Sequence, residues 1–216
     1  DIKDDILIIA HTRWATHGKV TISNTHPHTD CSGEIAVVHN GIIENFRVIK
    51  ENLEKKGHKF FSETDSEIIP HFIEEYLNNY DFENSFCNAI KKIEGTFAIA
   101  GIYKREKKIF LARKFSPLCI GKLSDGFIIA SDFYPILNWT DKVYYIEDNE
   151  IAIIDTDKKI KIKNLMTGER KKPSFSSIVY GYEKIEKGDY ESFMLKEIFE
   201  QPRVIKKTKE SFLKNI

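Results

Sequence analysis

The chain has 216 residues, 41% hydrophobic and 31% charged, and its 33 basic side chains balance 33 acidic ones. That length suffices for one sizeable domain or two small ones, and a formal net charge of zero lacks the positive excess on which a general nucleic-acid binder relies. No apolar run is long enough to span a bilayer, and no signal peptide is expected from the opening residues. Three widely spaced cysteines, Cys31, Cys87 and Cys119, fit free thiols in a reducing compartment, so a cytoplasmic location is expected.

In chain order, residues 6–10 are an apolar run that reads as a strand. It delivers His11-Thr12-Arg13-Trp14-Ala15-Thr16-His17-Gly18 into a loop. A guanidinium, a hydroxyl and an imidazole on one rim suit a small carboxylate-bearing ligand, because Arg pairs bidentately with carboxylates and backbone beside a Gly approaches closely. A surface loop with a solvated Arg13 and a half-buried Trp14 is the plainer alternative. Residues 20–30 form a polar segment holding Asn24, Thr25, His26, Pro27 and His28. Residues 35–39 read as a short strand that ends at the turn signal Asn40-Gly41. Residues 44–56, with Phe46, Ile49 and Leu53 at helical spacing, read as an amphipathic helix stopped by Gly57.

A brief extended stretch at 58–61 leads to the acid-rich turn Ser62-Glu63-Thr64-Asp65-Ser66-Glu67. The turn enters a helix over 67–78, with Asp65 or Ser66 as its N-cap. Residues 82–93 place Phe86, Ala89, Ile90 and Ile93 on one helical face. From Gly95 onward strands dominate, at 96–103, 108–113, 118–122, 127–130, 143–146, 151–155 and 160–163, with a short helix at 134–139. The pattern predicts an α+β fold with helices against an antiparallel sheet or pair of sheets. The Lys-rich stretches 104–108 and 158–163 read as solvated turns and strand faces, 171–188 as a linker or extended arm, and 191–207 as helical.

Four separated polar stretches remain: the Arg13 loop, Thr25 to His28, His39-Asn40-Gly41, and 63–67. Each has a plain explanation alone, since Asn-Gly is a common hairpin turn and Asp a common helix cap. His26-Pro27-His28 with Cys31 matches no common zinc spacing and no second ligand pair follows, so no metal is expected there.

Taken together and in order, these stretches resemble the class II glutamine amidotransferase domain, and within that class the glucosamine-6-phosphate synthase family. The motifs that carry the resemblance are 11–18, 24–28, His39-Asn40-Gly41-Ile42-Ile43-Glu44-Asn45, 62–67, Ser131-Asp132, and the run 194–202 near the end. The resemblance implies that Arg13 grips the glutamine α-carboxylate and Asp65 its α-ammonium. It implies that Thr16 and His17 belong to a loop closing over glutamine, that His26 maps to the binding region, and that Trp14 gates an ammonia passage. It makes the Asn40 side chain and the Gly41 backbone N–H the oxyanion hole, donors aimed where charge gathers as the amide is attacked. The implied fold is the N-terminal-nucleophile hydrolase αββα sandwich, two antiparallel sheets between helical layers. The implied reaction moves the amide nitrogen of L-glutamine to fructose 6-phosphate, in an enzyme that dimerises through its sugar-isomerase half.

The family's nucleophile is a Cys at the first residue of the mature chain, with its own α-amino group as base. Here the sequence opens on Asp1, and Cys31, Cys87 and Cys119 read as ordinary thiols. The expectation is therefore a fragment: residues 1–170 an N-terminally truncated amidotransferase domain, 171–190 a linker, and 191–216 the start of the isomerase region. Such a piece is expected not to hydrolyse glutamine alone and, with a sheet edge unpaired, to be aggregation-prone. Two alternatives stand beside this reading: an amidotransferase of the purine or asparagine type, against which Trp14, His17 and 196–202 speak, and a non-catalytic glutamine-binding module.

Overall fold

Alternation along residues 95–155 decides the architecture. In β3 (Gly95–Tyr103), Phe97, Ile99 and Tyr103 point one way and Ala98 and Ala100 the other. In β4 (Lys108–Lys114), Phe110 and Ala112 oppose Ile109 and Leu111; in β8 (Glu150–Asp155), Ile151 and Ile153 oppose Ala152 and Ile154. Strands apolar on both faces need cover on both. The computed structural model, which describes residues 6–12, 19–178 and 188–214, supplies it.

These strands sit at the centre of a seven-stranded antiparallel sheet in the order β1-β2-β3-β4-β8-β9-β10. The others are β1 (His28–Thr29), β2 (Ile35–Ile43), β9 (Ile160–Asn164) and β10 (Arg170–Lys171). One face is covered by α1 (Phe46–Lys55), α2 (Ile68–Leu77) and α3 (Phe82–Lys91), which bury Ile49, Leu53, Ile69, Ile73, Phe86 and Ile90 against it. The other face packs on a second antiparallel sheet, β11-β7-β5-β6, through Leu118, Ile120, Tyr144 and Ile146. Its strands are β5 (Cys119–Lys122), β6 (Phe127–Ala130), β7 (Lys142–Tyr145) and β11 (Ser176–Ser177). The far side of this sheet is closed by the 3₁₀ turn Tyr134–Ile136, which buries Ile136 with Cys119 and Val143. β11 holds the start of the 171–188 stretch to the second sheet.

The chain divides into two compact units, Asp1–Ile178 and Val179–Ile216. In the second, α4 (Phe193–Lys214) starts where the Ser192 hydroxyl accepts the Leu195 N–H at 3.1 Å, and carries Pro202 inside it. Among the described residues no helix is long and apolar enough to cross a membrane.

Most strands fall within a residue or two of where alternation places them. Three local readings are overturned. Residues 6–10 form no strand: no ladder partner reaches them among the described strands, and Ile6 and Ile8 stay exposed. Asn40-Gly41 is no hairpin turn; β2 runs straight through it, with Asn40 opposite Ala98 and Gly41 opposite Phe97. Neither Asp65 nor Ser66 caps α2, whose N-cap position is Glu67, with no side-chain capping hydrogen bond. Both side chains are committed across the core instead.

One cross-strand pair shows how closely the helical layer is fitted. Gly101 lies opposite Phe110, and a Cβ on Gly101 would sit 2.2 Å from the Phe110 ring and 2.8 Å from the Ala36 carbonyl oxygen. The ring occupies that space and packs against Phe82 and Phe86 at centroid distances of 5.3 and 4.8 Å. Gly101→Ala is expected to cost about 1–3 kcal/mol by overpacking, read as a lower urea midpoint at unchanged slope; an unchanged midpoint would contradict this packing.

Candidate active site

The site grows from the second half of β2. Gly41 has φ +125, and a Cβ there would meet the Thr96 carbonyl oxygen at 2.1 Å, so the strand passes β3 at a distance only glycine permits. Its neighbour Asn40 is exposed, and Asn40 Oδ1 accepts a 2.8 Å hydrogen bond from His11 Nε2. The carbonyl end of the amide is thereby held. The other end of the amide carries its two N–H donors.

The 62–67 segment folds against β2 with its polar groups inward. Asp65, 6% exposed, accepts the Ile43 N–H at 2.7 Å through Oδ2, so its carboxylate is tied to the strand carrying Asn40 and Gly41. Ser66 Oγ donates to Asp65 Oδ1 at 3.3 Å, which leaves the hydroxyl oxygen to accept from His39 Nδ1 at 2.9 Å. Glu67 is anchored at the back: its carboxylate accepts the Phe61 and Ser62 N–H groups at 2.8 and 2.7 Å and the Ser62 hydroxyl at 2.7 Å. Burial acts to raise its pKa, but these bonds and the His71 imidazole 3.9 Å away outweigh it and hold the group at about 2.

A histidine row joins the two sides. The rings of His11 and His26 lie 4.3 Å apart, those of His26 and His28 4.8 Å apart, and His28 Nε2 meets Thr64 Oγ1 at 3.0 Å. Asn24 clamps the rim: its side chain accepts the Glu63 N–H at 2.8 Å and donates to the Glu63 carboxylate at 3.1 Å. Beside Asn40, a cleft of about 690 Å³ opens between the sheets, walled by apolar residues such as Val38, Ala98, Leu111 and Phe127 and bordered by His11 and His39.

Of the residues singled out in the sequence, Asn40, Gly41, Asp65 and His26 meet here. Arg13, Trp14, Thr16 and His17 lie outside the described residues. The supporting roles of His39, Ser66 and Asn24 carried no signal of their own, since each depends on a partner 27 to 39 positions away. No thiol belongs to the group. Cys87 and Cys119 are buried, and burial raises both, Cys119 to about 12; Cys31 lies on the β1–β2 turn and is also raised by burial. Among the described residues, one set of metal-ligating side chains converges, Cys31, His58, His71 and Glu74, and none of them belongs to this group.

The two face-packed antiparallel sheets with a helical layer are the fold of the N-terminal-nucleophile amidotransferases. Glutamine phosphoribosylpyrophosphate amidotransferase from B. subtilis superposes with a TM-score of 0.62 at 23% identity, over 73% of this chain and 34% of that one. A glutamine amidotransferase domain family matches residues 11–138, and the chain belongs to that family. Among its relatives are the glutamine–fructose-6-phosphate aminotransferases (isomerizing) of Methanothermobacter thermautotrophicus, 48% identical over 93% of this chain and 34% of that protein, and Pyrococcus horikoshii, 45% identical over 92% and 33%. The chain spans about a third of the length of these relatives.

His39 gives the site a pH signature. Burial outweighs the neighbouring Asp65 carboxylate and, helped by the charges of His11 and His28, lowers its pKa to about 4. A histidine whose folded pKa lies below its unfolded value, about 6.5, stabilises the fold fully above that value, and the contribution is lost as pH falls through about 4. Stability is therefore expected to drop by up to about 3 kcal/mol between pH 7 and pH 4 on this account. Melts of the wild type and His39→Gln across that window should diverge, the variant having the shallower slope; parallel curves would refute the assignment.

Proposed function

We propose that this chain is the glutaminase part of a glutamine–fructose-6-phosphate aminotransferase, which moves the amide nitrogen of L-glutamine to fructose 6-phosphate, yielding glucosamine 6-phosphate and L-glutamate. The observation that carries the reading is the 42–48% identity to aminotransferases of that name over more than nine-tenths of the chain. In this reading residues 1–170 are the amidotransferase domain, 171–190 a linker and 191–216 the start of the sugar-isomerase region. The acceptor sugar is handled by the isomerase half of the parent enzyme, a cytoplasmic homodimer.

The roles follow from charge and geometry. Arg13 pairs with the α-carboxylate of glutamine and Asp65 with its α-ammonium, a buried anion whose second oxygen is already fixed to β2. Thr16 and His17 close over the substrate, His26 lines the pocket, and Trp14 guards the path of ammonia. As a thiolate attacks the side-chain carbonyl, the oxygen that gains charge is met by the Asn40 amide and the Gly41 N–H. Collapse of the tetrahedral adduct releases ammonia and leaves a thioester, which water hydrolyses to glutamate. The supports for the oxyanion hole are the His11 bond that orients Asn40 and the glycine-only backbone of Gly41.

The attacking thiol is none of the three in this chain. None of the three shares the element that carries Asn40: Cys31 lies on the β1–β2 turn, Cys87 on α3 and Cys119 in β5, and burial raises the pKa of the Cys87 and Cys119 thiols, against the thiolate that nucleophilic attack needs. The 216-residue chain alone is expected to release no ammonia from glutamine in a coupled assay; release above the buffer blank would overturn the nucleophile assignment. In the full-length gene product, Asn40→Ala should lower kcat for glutamine hydrolysis roughly 10²–10³-fold with KM little changed. A change confined to KM would remove Asn40 from the oxyanion hole.

A further inference from the structure

Four side chains from three separate pieces of chain converge on one point at the edge of the helical layer. Cys31 sits on the turn between β1 and β2, where Asp30 accepts the Ile35 N–H at 2.9 Å and Gly33 takes φ +68. His58 is presented by the end of α1. There the Gly57 N–H bonds the Glu54 carbonyl at 3.0 Å and the His58 N–H the Leu53 carbonyl at 3.1 Å, the paired bonds of a Schellman stop with Gly57 at φ +98. His71 and Glu74, three apart, share a face of α2.

Five of the six distances among their donor atoms are close to those of a tetrahedral metal site. Cys31 Sγ lies 3.7 Å from His58 Nδ1 and 3.4 Å from His71 Nδ1, and the two Nδ1 atoms are 3.4 Å apart. Glu74 Oε2 lies 3.2 Å from His58 Nδ1 and 3.6 Å from His71 Nδ1. Zinc bonds of about 2.3 Å to sulfur and 2.0–2.1 Å to nitrogen or oxygen give tetrahedral edges of about 3.6 Å between S and N and about 3.4 Å between N and N or N and O. The five edges scatter about those values by a few tenths of an ångström, and the sixth, from Cys31 Sγ to the Glu74 carboxylate, lies within 4.8 Å. We propose that Cys31, His58, His71 and Glu74 bind one zinc ion in a closed tetrahedral site that ties the β1–β2 turn to the end of α1 and to α2.

The surroundings are those of a metal site. Each imidazole turns Nδ1 to the centre. His58 Nε2 is 3.2 Å from Glu75 Oε2, an outer carboxylate of the kind that fixes the tautomer and ring orientation of a metal-bound histidine, while His71 Nε2 faces Glu67 Oε1 at 3.9 Å, beyond hydrogen-bond reach. Glu74 is held from the far side, its two oxygens accepting the Cys31 and Ser32 N–H groups at 3.1 and 3.2 Å. A thiolate, a carboxylate and two neutral imidazoles carry two negative charges, which a divalent cation cancels. One sulfur, two nitrogens and one oxygen suit zinc better than the harder magnesium or calcium. Four protein donors leave no open position, so the ion is structural.

The test begins with elemental analysis of the full-length protein, purified and then gel-filtered in chelator-free buffer. One zinc per chain is expected, with a melting temperature that falls on chelation and recovers on adding one equivalent of zinc. Cobalt replacing zinc in the wild type should give intense tetrahedral ligand-field bands and a thiolate-to-cobalt charge-transfer band. Cys31→Ser should lose the charge-transfer band, and His71→Ala should lose stoichiometric metal. Zinc that is absent from the wild type, or that survives both substitutions, would overturn the proposal. The wild-type cobalt spectrum decides it if a variant fails to fold, because a six-coordinate spectrum without a thiolate band is incompatible with this ligand set.

Discussion

Five polar side chains buried almost consecutively, Ser62, Thr64, Asp65, Ser66 and Glu67, are the constraint on which the rest of the structure depends. A segment of this kind is tolerable in an interior only if every group finds a partner, since an unsatisfied buried donor or acceptor costs about 1–3 kcal/mol and a buried charge more. Here the partners are specific and distant. Asp65 takes the Ile43 N–H, Ser66 bridges to His39, Thr64 meets His28, and Glu67 turns back on Phe61 and Ser62. These bonds leave the segment one position relative to β2. The placement of the Asp65 carboxylate beside Asn40 and Gly41 is thus set by hydrogen-bond satisfaction.

β2 carries the other half of the constraint. Its apolar residues Ile35, Val37 and Ile43 anchor it in the helical core, while Val38 faces the cleft between the sheets. The strand is therefore immobilised by packing before any polar residue is considered. Onto that rigid element the sequence places one residue with a side-chain donor and one with no side chain. Glycine at 41 serves packing: it admits the Thr96 carbonyl oxygen at close range, where any Cβ would collide. Sites mounted on strands of this kind hold their geometry more tightly than sites built on loops.

The same interactions explain what was legible in the sequence. The helical layer and the strands β3 to β9 were, because alternation and helical spacing report burial directly, and burial decided their place. Gly57 was read correctly as a helix stop because its signal is local. Asn40-Gly41 carries a turn signal that the fold overrides: the dipeptide's preference for a hairpin is real, but pairing with β3 on one side and burial of Ile43 beyond it carry the strand through. Asp65 and Ser66 resemble caps in sequence because their partners, Ile43 and His39, lie 22 and 27 residues away. The contacts of His39, Ser66 and Asn24 needed the fold, since each is made with a residue 27 to 39 positions away.

Cys31 makes the same point from the other direction. Beside His26 and His28 it has the wrong spacing for a metal, and along the sequence that judgement is sound. Folding brings it His58 from 27 residues on and His71 from 40, while His26 and His28 turn to the row beside Asn40. The two groups then share a mount. The first turn of α2 follows directly from the segment that fixes Asp65, and Glu67, which anchors that segment, also faces the outer nitrogen of His71. A displacement of α2 large enough to separate His71 and Glu74 from Cys31 must pull Glu67 from Phe61 and Ser62 as well. The geometry at Asp65 and the geometry at Cys31 are therefore two consequences of one helix held in one place.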